Sequence, residues 1–129
     1  MQKQRKQKGN WTMTNYFSLK EQSCRCCGEG QLNPRFLEKL NKARELAGIP
    51  FVLNCGYRCE KHNKEVGGSD TSSHLDGLAV DIRCTNSVNR YKIIKALLEA
   101  DICRIGIGKD FVHCDDDVRS KIPNLIWLY

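Results

Sequence analysis

The sequence predicts an α+β fold, a small and mostly antiparallel sheet packed with two long helices, and three observations carry that expectation. Two stretches place apolar residues at helical spacing, about four short runs have strand character, and two of those runs are joined by a hairpin signature. The first helix opens at Pro34, sets Phe36, Leu37, Leu40, Ala43, Leu46 and Ala47 at helical spacing, and closes at Gly48-Ile49-Pro50. Phe51-Val52-Leu53-Asn54-Cys55 is a short apolar run between Pro50 and Gly56, which suits a buried strand. Glu60 to Val66 is helix-compatible until Gly67-Gly68 breaks it. From Gly77 the chain alternates, with Leu78, Val80 and Ile82 on one side and Ala79, Asp81 and Arg83 on the other, so a strand there turns Asp81 away from its apolar neighbours. Thr85-Asn86-Ser87 supplies capping oxygens for the second long helix, whose expected buried stripe is Tyr91, Ile94, Leu97 and Leu98. Residues 103–107 and 111–115 then read as a hairpin across Gly108-Lys109-Asp110.

Composition bounds what such a fold can do. At 129 residues, 40% hydrophobic and 28% charged, the chain reads as a basic flexible arm over residues 1–15 and a single domain over residues 16–129. No apolar run approaches the roughly 18 residues of a membrane span. The first ten residues are basic and polar with no apolar stretch behind them, which predicts cytoplasmic synthesis without a secretory signal. Net charge is +6, and Lys3, Arg5, Lys6 and Lys8 place four positive charges in the first eight residues, a tail that attracts anionic polymers or is simply solvated. The eight cysteines are Cys24, Cys26, Cys27, Cys55, Cys59, Cys84, Cys103 and Cys114. A reducing cytosol disfavours disulfides, and Cys24-x-Cys26-Cys27 followed by Cys55-x-x-x-Cys59 is not a pair of CxxC knuckles, so most read as buried thiols. A disulfide or a second metal between the first cluster and Cys55 or Cys59 stays open. Without paired CxxC spacing or an aromatic-basic patch, nucleic acid is not indicated as a partner.

The chemistry concentrates in two runs, Ser72-Ser73-His74-Leu75-Asp76-Gly77-Leu78-Ala79-Val80-Asp81 and Asp110-Phe111-Val112-His113. A catalytic zinc takes three protein ligands and keeps one position open for water, and His74, Asp81 and His113 supply such a set. Gly77 lets the backbone turn from loop to strand, and Ala79 leaves room beside a buried metal. Asp110, three residues before His113, is the candidate general base. Arg58, after Gly56-Tyr57, could bind a substrate carboxylate or steady an oxyanion, Ser72 could bind substrate with it, and Ser72 and Asp115 are candidates to orient the histidines. Singly, each has an ordinary explanation as a surface histidine, a cap, a surface ion pair or a turn residue. Their joint occurrence points to a site. His62 reads as structural.

These residues resemble the M15 group of zinc D-alanyl-D-alanine peptidases, in the wider hedgehog/DD-peptidase superfamily. The resemblance is carried by Ser72-x-His74-x-x-Gly77-x-Ala79-x-Asp81, by Cys55-Gly56-Tyr57-Arg58-Cys59-Glu60-Lys61-His62-Asn63 with Val66-Gly67-Gly68, and by Asp110-Phe111-Val112-His113-Cys114-Asp115. It implies a hedgehog/DD-peptidase-like fold, one catalytic zinc on His74, Asp81 and His113, a catalytic acid at Asp110, and Arg58 binding substrate or transition state. It further implies hydrolysis of peptidoglycan stem peptides, by a D,D-carboxypeptidase or a phage-type endolysin that reaches the wall after the membrane is breached. The alternative is a catalytically silent zinc module of the same fold that binds wall peptides or a protein partner. The chain departs from the family pattern in its extra cysteines, Cys114 adjoining a proposed ligand, and in having no separate wall-binding module.

Overall fold

The computed structural model describes residues 14–119 and 121–129. The arm expected over residues 1–15 lies outside the described residues up to residue 13. Asn15 is already tied to the domain, its side-chain oxygen accepting from Asn41 Nδ2 at 3.2 Å.

A one-turn helix α1 (Leu19–Gln22) starts at a capping box between Ser18 and Glu21. Helix α2 (Pro34–Ala47) has Asn33 as its cap, proline in its first turn, and Gly48 at φ 70° as its left-handed stop. Strand β1 (Leu53–Cys55), the short helix α3 (Glu60–Glu65) and a 3-10 turn (Ser73–Asp76) lead to β2 (Ala79–Arg83). Helix α4 (Ser87–Glu99), β3 (Arg104–Ile107), β4 (Phe111–Asp115) and β5 (Leu125–Leu128) complete the order. No helix of the described residues is long and apolar enough to cross a membrane.

The five strands form one sheet in the order β1-β2-β4-β3-β5. The sheet is mixed, which corrects the mostly antiparallel expectation: β1 to β4 pair antiparallel, but β5 lies parallel to β3. The cause is the segment after β4, which crosses back over β3 instead of turning in a hairpin and adds Leu125–Leu128 as a strand beyond the four expected. A second correction concerns α4. Its buried residues are Ile93, Ala96 and Leu97, whereas Tyr91 is 67% and Leu98 45% exposed. Ala96 and Ala100 complete the i, i+3, i+4, i+7 stripe from Ile93, so two small residues, not the larger Tyr91 and Leu98, set the buried face.

Strand alternation gives the sheet two unlike faces. Val80, Ile82, Ile105, Val112 and Cys114 pack into a core with Phe36 and Leu40 of α2 and Ile93 and Leu97 of α4. Each such large side chain contributes about 1.5–3 kcal/mol by leaving water. The other face carries Ala79, Asp81, Arg104, Gly106, His113 and Asp115, and it is there that the polar chemistry collects.

Candidate metal centre

One row of residues runs across all five strands: Cys55 pairs with Asp81, Asp81 with His113, His113 with Gly106, and Gly106 with Trp127. The next row holds Ala79, Asp115, Arg104 and Leu125. Asp81 and His113 are therefore neighbours by register, fixed by the same ladder that fixes the core. Gly106 is required where it stands, because a Cβ there would lie 2.7 Å from Trp127 Nε1 and 2.6 Å from Tyr129 Cε2. Its bare backbone lets both rings close over the row.

His74 arrives from the opposite direction, on the 3-10 turn. Ser72 caps that turn by accepting from His74 N at 3.3 Å, and Gly77 ends it at φ 69°. Buried Asp117 accepts from Ser73 Oγ at 2.8 Å and from Arg119 Nε at 2.8 Å, so the residue beside His74 is anchored to the far side of the cleft. These Arg119, Ser73 and Lys121 contacts hold the Asp117 carboxyl well below its usual range despite burial.

The three donor groups meet at one carboxylate oxygen. Asp81 Oδ1 lies 3.5 Å from His74 Nε2 and 2.9 Å from His113 Nδ1. Behind them, His74 Nδ1 is 2.8 Å from the Gly56 carbonyl oxygen, and His113 Nε2 is 2.8 Å from Asp115 Oδ2. A carbonyl and a carboxylate can only accept, so these outer ring nitrogens carry hydrogens and the inner ones turn lone pairs toward Asp81. Two lone pairs and a carboxylate oxygen facing each other require protons or a cation between them. Protons answer in the metal-free protein. Burial opposes charging His74, but Asp81 and Cys55 beside it prevail and raise its pKa to about 9. Burial likewise opposes charge on His113, and Asp115 and Asp81 raise it. Burial pushes the Asp81 carboxyl up, yet the two imidazoles hold it well below the usual carboxylate range. A nitrogen, oxygen, nitrogen set with each imidazole fixed from behind by an acceptor is the arrangement by which proteins hold zinc, and the residues fit that ion.

Cys55 also comes close, its sulfur, a His74 nitrogen and an Asp81 oxygen all lying within 4.8 Å of one another. Its Sγ, however, is 3.6 Å from His74 Nδ1, the nitrogen already engaged by Gly56. It sits behind the imidazole, whereas Asp81 and His113 sit before it, so His74, Asp81 and His113 are the set that could hold a metal from the cleft side. Cys114, next to His113 in sequence, points to the opposite face, where it is wholly buried and burial raises its thiol well above the usual value.

A cleft of about 410 Å³ opens onto this cluster. Arg58, Ser72 and Lys121 line one side and Phe111, Trp127 and Tyr129 another. Arg58 donates from Nη2 to Ser72 Oγ at 3.3 Å and from its backbone N to the His74 carbonyl at 3.0 Å. Its buried Nε–H has no partner among the described residues, a donor left for a ligand. Arg104 donates from Nε to Asp115 Oδ1 at 2.7 Å and stacks its guanidinium 5.1 Å from the Trp127 ring centre, so Asp115 is held from both sides. A larger cleft of about 540 Å³ lies beside α3, but Glu60, Lys61, Asn63, Lys64, Asp70 and Leu75 give it no imidazole or thiol.

Asp110 is not brought to the cluster. It stands exposed at the hairpin turn, its carbonyl accepting from Cys84 N at 2.9 Å, and it does not line the cleft. Three residues of extended chain put it about 10 Å along from His113. Asp115 is the carboxylate that reaches His113. Sequence reasoning did not single out Arg104, Asp117, Lys121, Trp127 or Tyr129. Two signals were there to use: Arg104 shares the strand parity of Gly106, and Leu125 to Tyr129 is an apolar run after Pro123-Asn124.

A family model described as Peptidase M15 matches residues 14–115, a stretch that holds His74, Asp81, His113 and Asp115 but stops before Trp127 and Tyr129. No curated protein matches the chain.

Proposed function

Since the chain belongs to the Peptidase M15 family, we propose that it is a zinc peptidase of hedgehog/DD-peptidase-like fold that hydrolyses peptidoglycan stem peptides, as a D,D-carboxypeptidase or a phage-type endolysin acting at the wall after release. The observation that carries this reading is the convergence of His74 Nε2 and His113 Nδ1 on Asp81 Oδ1, each ring fixed from behind. Bound there, zinc would act as a Lewis acid, lowering the pKa of water toward about 7 and polarising a carbonyl. The chain's own groups do the rest. Gly56 and Asp115 set the imidazole tautomers, and Arg104 holds Asp115 in place. Arg58, with a free Nε–H beside Ser72, binds the substrate's carboxylate or its developing oxyanion, and Lys121 adds positive charge at the same rim. Phe111, Trp127 and Tyr129 offer an apolar wall against which a peptide can exclude water.

The proton of the attacking water needs an acceptor. Asp115 lines the cleft but its oxygens are engaged behind His113 and on Arg104, and Asp110 would have to swing in from its turn. That placement of Asp110 is also the observation that favours the second reading, a silent zinc module binding wall peptides or a protein partner. Zinc analysis of the purified protein, followed by mass spectrometry of peptidoglycan digested with it, separates the two. New stem-peptide termini that disappear in His74→Ala support the peptidase. Intact peptides in the presence of zinc-loaded protein would sink it and leave the binding module.

A further inference from the structure

The cysteines that the cleft leaves unused are not scattered. Cys24, Cys26 and Cys27 lie on the loop after α1, and Cys59 caps α3 some thirty residues later. Sγ of Cys24 is 3.5 Å from that of Cys26 and 3.6 Å from that of Cys59, while Cys26 and Cys59 are 3.4 Å apart. The Cys27 sulfur joins them, all four within 4.8 Å of one another. Cys26 and Cys27 are exposed, so the cluster is not the set of buried thiols the sequence suggested.

Two features distinguish this knot from accidental proximity. The first is spacing. Around a zinc ion with Zn–S bonds of about 2.3 Å, tetrahedral sulfurs stand about 3.8 Å apart. Three sulfurs at 3.4–3.6 Å approach that common edge, whereas disulfides would divide the four into two close pairs of about 2.05 Å, and no pair is singled out here. The second is the backbone. Cys59 N–H donates to Cys24 Sγ at 3.5 Å and His62 N–H to Cys59 Sγ at 3.4 Å. Such donors stabilise thiolates, the form that binds metal. Glycines let the loop wrap this closely: Gly28 at φ 72° donates to the Cys24 carbonyl at 2.8 Å, and at Gly30, φ 82°, a Cβ would strike the Tyr57 ring at 2.2 Å.

We propose that Cys24, Cys26, Cys27 and Cys59 form a second, closed, structural zinc site that ties the loop after α1 to the segment carrying Gly56 and Arg58. The segment it fastens matters to the cleft. Tyr57 N donates to the Gln22 carbonyl at 2.8 Å, Arg58 N to His74 O, and the Gly56 carbonyl sets the His74 ring. Metal at the knot therefore positions the arginine and the histidine from outside the cleft. Binding releases the thiol protons to solvent as the four Zn–S bonds form.

The test uses the full chain and does not depend on hydrolysis. Elemental analysis of wild-type protein expects about two zinc ions per chain, and of His74→Ala about one. Native alkylation mapped by mass spectrometry expects Cys26 and Cys27 to resist modification despite their exposure, and all four cysteines to react once a chelator removes the metal. A Cys26→Ser, Cys27→Ser double variant, at exposed positions, should lose one zinc and keep the other. Zinc-free His74→Ala protein, rapid alkylation of Cys26 and Cys27 in metal-replete wild type, or an intact mass lowered by a disulfide within the cluster would each overturn the proposal. Protected cysteines with inert peptidoglycan would uphold this site and reject the peptidase; hydrolysis with unprotected cysteines would do the reverse.

Discussion

The cleft cluster and the cysteine knot gather metal-type donors by opposite means. In the cleft, two of three donors sit on adjacent strands at paired positions, so hydrogen-bonded register fixes their separation, and only His74 comes from a turn. At the knot no donor lies on a strand; three come from one loop and one from a helix cap. The cleft has three donors of mixed nitrogen and oxygen type at the floor of an open cavity, which leaves a coordination position for substrate. The knot has four sulfurs and leaves none. A rigid scaffold presents the reactive centre, and a metal supplies rigidity where the scaffold has none.

The sharpest way to break this comparison is to remove one centre and ask whether the other survives. His74→Ala should cut peptidoglycan hydrolysis at least about a thousandfold, the several kcal/mol that a Lewis acid supplies at the carbonyl, while the knot keeps its zinc. Loss of both metals from a folded His74→Ala protein would mean that the knot holds no zinc of its own.

The two regions were also unequally legible in the sequence. Alternation from Gly77 to Arg83 places Asp81 on the polar face, and the hairpin signature places His113 on a strand, so local rules put both donors on strands although they do not pair β2 with β4. What closes the cleft is different. Trp127 lies on, and Tyr129 just after, a strand whose parallel pairing needs a crossover, and no local pattern says where a crossover lands. The knot is only half legible for a related reason: the sequence leaves open a second metal or a disulfide between the first cluster and Cys55 or Cys59 but nothing local chooses between them. Its ligands follow no paired CxxC spacing, and Cys59 meets Cys24 only because β1 and α1 pack together. Compartment reasoning then assigned exposed cysteines to the core. Asp110 is the opposite case: its spacing of three before His113 suggests proximity, but on an extended strand three residues reach about 10 Å and end at a turn, so a role as base requires the turn to move.

A second test uses proton linkage at the cleft. In metal-free protein the folded pKa of His74, about 9, stands above its unfolded value of 6.5, so the contact with Asp81 contributes stability that is fully present below about pH 6.5 and is lost as pH rises through 9. The span is worth on the order of 3 kcal/mol at most. Zinc must displace those same protons, so the stability that zinc adds should grow over the same pH interval. Urea unfolding of chelated and zinc-loaded protein between pH 6 and 9.5 measures both slopes. Parallel curves would mean that the cleft holds no metal where Asp81 meets the two rings.

A smaller effect is expected one step out from the donors. Asp115→Asn leaves His113 in place but replaces its fixed acceptor with an amide and takes the charge from beside buried Arg104. Zinc affinity at the cleft should fall about 10–100-fold with knot zinc unchanged, as competition with a chelating dye would read. If Asp115 is also the proton acceptor, hydrolysis at saturating zinc should stay low. Full recovery at high zinc would confine Asp115 to orienting the ring.

The smallest effect belongs to Asp110. At an exposed turn about 10 Å along the strand from His113, its carboxylate is screened by water and touches no donor, so Asp110→Asn should change zinc content at neither centre and hydrolysis by less than about twofold. The hairpin itself is safe in that variant, because the bond that ties it to Cys84 uses the Asp110 backbone carbonyl. A loss of activity with zinc and fold intact would therefore have one physical meaning: substrate draws the turn over the cleft and delivers the carboxylate, making this loop a moving part and the register-built centre less rigid than its strands imply.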